Sequence, residues 1–108
     1  MDIFETLREA IETRRCVTMM ADGKRRDVAP LAIGIKGVQK KVLTFQFKGD
    51  SNSGLAPGGA WRCFFIDHID WAALSNEPWQ SGHYPVAKLE SSFDYVICGQ
   101  GAKLRTFD

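Results

Sequence analysis

The sequence predicts a small, mainly β domain carrying one N-terminal helix, and three observations lead to that class. Apolar residues at the start recur every four positions, as on one face of a helix. After Arg15 the period shortens to the alternation of strands. Turn signals then separate the apolar stretches at short intervals, at Asp22-Gly23, at Lys36-Gly37 and across the Gly-rich stretch 49–60. Four or five strands with one leading helix imply a strongly bent sheet or barrel with the helix packed against it.

The helix is expected over residues 2–15. Asp2 can cap it, and Glu5 completes a capping-box pattern. Ile3, Leu7 and Ile11, with Phe4 beside them, form its apolar stripe. Acidic side chains early and Arg14 and Arg15 late suit the helix dipole. A first strand, CVTMMA, leads into the Asp22-Gly23 hairpin turn. The next run, Arg26 to Ile35, holds Pro30, which predicts an edge, a bend or a bulge rather than a central strand. Lys41 to Lys48 is the clearest strand, with Leu43, Phe45 and Phe47 on one face and Val42, Thr44, Gln46 and Lys48 on the other. Trp61 to Ile69 is expected as a fourth strand, which Trp71 to Leu74 continues or restarts. Residues 1–78 thus make the barrel with its helix. Residues 79–108 form an extension that packs on it or trails from it, with a short extended piece at 86–89 and a strand or helical turn at 93–98.

Composition narrows the function classes. A chain of 108 residues, 44% hydrophobic and 25% charged, is one globular domain and not a disordered one. No apolar run approaches the roughly 18 residues that cross a membrane, and the acidic start is unlike a secretory signal, so a cytoplasmic protein is expected. Cys16, Cys63 and Cys98 lie far apart without a C-x-x-C pair, which predicts buried free thiols and no zinc or redox motif. His68 and His83 have no partner at metal-ligand spacing, so neither a metal nor another cofactor is expected. No nucleophile elbow frames Cys63 or Ser75 and no carboxylate pair suggests a cleft, so an enzyme is the poorest-supported class.

The net charge of +1 conceals an asymmetry. Residues 14–48 hold nine basic side chains against Asp22 and Asp27, a net +7, so the remainder sums to −6. Either these cations scatter over a solvated surface or they build a positive face on a neutral protein.

Four segments, in order, resemble the WYL domain family: LREAIETRRCVTM at 7–19, a helix entering a strand; RDVAP at 26–30, similar to an Arg-x-Val-x-Pro segment; KVLTFQ at 41–46, on the strand of the namesake tripeptide; and WRCFFIDHI at 61–69, similar to an Arg-x-Phe-x-x-Asp-x-Ile strand. They span about residues 7–75. Two positions depart from the pattern: the tripeptide reads Lys41-Val42-Leu43, and His68 stands where an Arg is usual. The winged helix-turn-helix that commonly precedes the domain is not in this sequence. The resemblance implies a five-stranded SH3-like (Sm-like) barrel in a stand-alone module. It also implies sensing of nucleic acid or nucleotides through a basic pocket, in transcription regulation, without direct operator recognition.

Arg62 is the leading site candidate. Its parity groups it with Phe64, Ile66 and His68, where a guanidinium either lies at a barrel mouth, ready for a phosphate or carboxylate, or pairs with Asp67 or Asp27. Arg26 occupies the family's other Arg position, or serves as a hairpin arm. Lys40 and Lys41 can contact phosphates or remain solvated turn residues. Gln46 can hydrogen-bond a ligand amide or base edge, or face solvent. Trp61 can stack on a base or pack in the core. The expected pocket is lined by Arg26, Lys41, Gln46 and Arg62, with Lys40, Trp61 and His68 around it, and takes an anionic ligand, nucleic acid or a nucleotide. The alternative is a protein-interaction module, or a homodimer, joined through an exposed barrel edge.

Overall fold

A computed structural model describes residues 2–49, 55, 58–83 and 85–99. The chain runs α1 (Ile3–Thr13), β1 (Val17–Ala21), β2 (Lys24–Lys36), β3 (Gln39–Gly49), β4 (Ala60–Phe65), a 3-10 turn (Ile66–His68), β5 (Ile69–Leu74), α2 (Val86–Ser92) and β6 (Tyr95–Gly99). The fold is mainly β with an N-terminal helix, as the periodicity predicts. The strands form one antiparallel sheet in the order β4-β3-β2-β1-β5, and β6 adds to β2. Among the described residues no ladder joins β4 to β5, so the hydrogen-bonded sheet is six-stranded and open rather than a closed five-stranded barrel.

α1 starts where the capping box places it. The Asp2 carboxylate accepts from the Glu5 N–H at 2.8 Å, and the Glu5 carboxylate accepts from the Asp2 N–H at 3.2 Å. Arg14 ends the helix in the left-handed region, φ 54°. Replacing Asp2 by Ala leaves an N-terminal N–H without this acceptor and should cost about 1 kcal/mol in chemical denaturation. Leu7, Ala10 and Ile11 bury one stripe against Val17, Met19, Val28, Val42 and Phe64.

The opposite face of the sheet is buried as well. Leu31, Ala32 and Leu43 pack with Leu89 of α2 and Phe93, and Phe45 packs with Cys16, Trp61 and Trp79. β2 and β3 therefore alternate between two cores, and on the mixed face of β3 Val42, Thr44 and Gln46 are all fully buried, while Lys48 near the strand end is exposed.

Three expectations need correction. β2 is a central strand despite Pro30, and of the edge, bend or bulge expected there it is a bulge-like register shift that occurs. The strand accommodates the missing N–H where its register with β3 shifts, between Pro30 and Ala32. On its other side, residues 29–31 lie between the end of the β1 ladder at Val28 and the start of the β6 ladder at Ala32. The fourth strand ends at Phe65, because the backbone turns through the 3-10 segment before β5 begins. Residues 86–89 are helical, not extended, and Phe93 and β6 belong to the core and the sheet. Residues 100–108, the remainder of the expected extension, and most of the stretch 49–60 lie outside the described residues.

Gly34 marks the closest approach on β2. A Cβ there would lie 2.5 Å from the Phe93 ring and 2.5 Å from the Tyr95 carbonyl oxygen, so only glycine lets β6 and Phe93 lie this close. Asp94 then fastens the junction, accepting from the Gly37 N–H at 2.7 Å, a contact that holds its carboxyl below the usual carboxylate range.

Candidate functional site

Arg26 and Gln46 sit on adjacent strands, on the sheet face that α1 covers. Burial of a guanidinium requires hydrogen bonds on its fixed fork. Arg26 is only 3% exposed, and its Nε donates to the Ala21 carbonyl and its Nη1 to Gln46 Oε1, each at 3.1 Å. The guanidinium carbon lies 4.8 Å from the centre of the Phe64 ring. Gln46 is oriented in turn by its Nε2, which donates to the Lys48 carbonyl at 3.3 Å. The Arg26 charge is thus built into the fold rather than carried on a hairpin arm.

β4 brings the second guanidinium beside it. Thr44 pairs with Arg62 across β3 and β4, and its hydroxyl donates to the Arg62 carbonyl at 3.1 Å. Cross-strand partners share a face, so Arg62 joins Gln46 and Phe64 on the α1 side. A cleft of about 250 Å³ opens at this edge, lined by Asp22, Arg26, Trp61, Arg62, Cys63, Phe64 and Lys88. Three of these side chains are basic and one is acidic. Asp22 faces His68, whose Nδ1 lies 3.1 Å from its carboxylate. Asp27, an expected counter-ion for Arg62, contacts Thr18 Oγ1 at 2.6 Å and Arg25 at 4.0 Å.

Trp61 also lines the cleft, half-buried, with its ring edge-on to Phe45 at 5.3 Å and its indole N–H donating to the His83 carbonyl at 3.0 Å. That contact holds the ring in place. Lys41 belongs elsewhere. It pairs with Phe65 on the opposite sheet face from Arg26, Gln46 and Arg62, its ammonium 4.8 Å from the Phe65 ring centre, and is not among the residues that line the cleft. Lys40 lies over Phe4, 4.9 Å from the ring centre, away from the cleft. His68 is on the 3-10 turn, so the strand parity that grouped it and Ile66 with Arg62 ends at Phe65.

Four lining residues, Asp22, Cys63, Phe64 and Lys88, stand outside the pocket expected from the sequence. Lys88 comes from α2, whose available signal was Leu89 and Phe93 four residues apart after Pro85. Cys63 lies beside Lys41, Lys88 and Ser92; burial pushes its thiol up, against the hydrogen bond from Ser92 and the two ammonium groups. A thiol held protonated in this way is a poor nucleophile. Burial likewise raises Cys16 and Cys98. Among the described residues no three His, Cys, Asp or Glu side chains group together as metal ligands, and no helix is long and apolar enough to cross a membrane.

No family model, curated protein or solved structure matches this chain.

Proposed function

We propose that the protein is a non-enzymatic binding module of the WYL-like kind, whose basic cleft takes a phosphate-bearing ligand, a nucleic-acid strand or nucleotide, in a regulatory role. The observation that carries this reading is the convergence of Arg26, Arg62 and Lys88 on one cleft beside the Trp61 ring. The Arg62 guanidinium and the Lys88 ammonium suit the oxygens of a phosphate, the buried Arg26 adds its positive charge behind them, and a fixed aromatic ring suits a neighbouring base or sugar. The order of the helix and first five strands, with a 3-10 turn between β4 and β5, supports the SH3-like reading of this part of the chain.

Size favours a phosphate group over an engulfed metabolite. Pockets that enclose small molecules run to roughly 300–1,000 Å³, and this cleft holds about 250 Å³. It fits one phosphate group of a nucleotide or strand whose remainder lies outside.

Fluorescence polarisation of labelled single-stranded oligonucleotides tests the reading. Saturable binding is expected at roughly 50 mM salt, weakening at least tenfold by about 200 mM as counter-ions compete for the phosphates. Arg62→Ala and Lys88→Ala should each weaken binding about tenfold while reducing the salt slope by about one. Absence of saturable binding at low salt overturns the proposal. A folded Arg62→Ala protein that binds like the parent removes that residue from it.

A further inference from the structure

A second concavity lies on the other side of the 3-10 turn, between the start of α1 and β5. This shallow groove of about 610 Å³ has an apolar floor of Ile3, Phe4, Ile66, Ile69 and Trp71. Among the described residues, three carboxylates, Asp2, Asp67 and Asp70, stand around it and no basic side chain lines it. Trp71 is 43% exposed there, a large apolar surface to leave in water.

The charges indicate what covers it. Asp2 is occupied as the helix cap, but among the described residues neither Asp67 nor Asp70 has an ion-pair partner. Two carboxylates beside exposed indole and aliphatic surface complement a segment that alternates bulky apolar and cationic side chains. Phe4 already shows the preference within the chain: the Lys40 ammonium lies 4.9 Å from its ring centre.

We propose that this groove docks a cationic amphipathic segment of another protein. An apolar side chain of that segment packs on Trp71 and Ile66, while its Lys or Arg residues meet Asp67 and Asp70. The site is distinct from the basic cleft and shares no lining residue with it.

The test titrates the full chain into two fluorescein-labelled synthetic peptides, one alternating Lys and Leu around a central Phe, the other with Glu in place of each Lys. Saturable, salt-sensitive binding of the basic peptide alone is expected. The double variant Asp67→Lys, Asp70→Lys should weaken it about tenfold, and Trp71→Ala should weaken it similarly. All of these side chains are exposed, and circular dichroism confirms that the variants fold; if Trp71→Ala does not, the aspartate pair carries the test. Oligonucleotide affinity of the Trp71→Ala protein should stay at the parent value, so loss of peptide binding is separable from failure of the cleft. Equal binding of both peptides, no effect of charge reversal, or no saturation overturns the proposal. So does a dimer in light scattering that Trp71→Ala dissolves, which would give the groove to a second copy.

Discussion

Replacing Phe93 by Ala should destabilise the protein by about 3–5 kcal/mol, the range for deleting a fully buried aromatic side chain. Phe93 is 2% exposed and packs with Leu31, Leu43 and Leu89, joining α2 to the centre of the sheet. It also fills the space that Gly34 leaves open. A loss of this size is a large part of the roughly 5–15 kcal/mol that a domain has. Urea denaturation gives the number, and a single cooperative transition is expected because α2 and β6 share the core of β2 and β3. A cost under about 1 kcal/mol would mean instead that residues 85–99 trail from a domain that is complete without them.

The second large effect is expected at Arg26. Arg26→Ala should cost about 3 kcal/mol: hydrogen bonds to a charged group contribute roughly 1.5–3 kcal/mol, and the groups they served stay buried. Gln46 Oε1 and the Ala21 carbonyl both lose the donor shown, and Gln46 is fully buried. Arg26→Lys should recover little, because one ammonium cannot reproduce a planar fork that donates in two directions over the Phe64 ring. Thermal and urea unfolding of both variants check this. Arg62 and Lys88, not Arg26, are therefore the residues whose removal reports on ligand binding rather than on folding.

The parts of the structure that the sequence made legible are those fixed by local chemistry. Asp2 with Glu5, Asp22 with Gly23, and the alternation of β3 each act within a few residues of themselves. What stayed hidden depends on distant partners. Pro30 signals an edge, a bend or a bulge alike, and only the gap between β1 and β6 and the register shift against β3 decide for a bulge in a central strand. α2 has seven residues and one exposed valine, Val86, so its period is too short to see, and Lys88 was missed with it. At the site, the placement of Arg26, Gln46, Trp61 and Arg62 was partly legible. Lys41 was grouped with them although the alternation of β3 itself puts it with Leu43 and against Gln46. Burial of Arg26 and Gln46 could not be read from residue type, since both are ordinarily solvent-facing and are buried here with hydrogen bonds to each other and to the Ala21 and Lys48 carbonyls.

The short turn at Ile66–His68 has a geometric consequence for the cleft. It connects β4 and β5, the two outer strands of the five-strand order. In a flat sheet four inter-strand steps would hold those strands roughly 19 Å apart, whereas three residues of 3-10 helix advance only about 6 Å. The sheet must therefore curl, and the His68 carbonyl, accepting from the Asp22 N–H at 3.1 Å, fastens the turn to the β1–β2 hairpin. Curling is why Asp22 of the β1–β2 turn and Arg26 of the central strand β2 line one cleft with Arg62 and Phe64 of the outer strand β4. The turn is a spacer: its length sets how near the end of β4 the β1–β2 hairpin is held, and so brings Asp22 into the cleft that Arg62 lines.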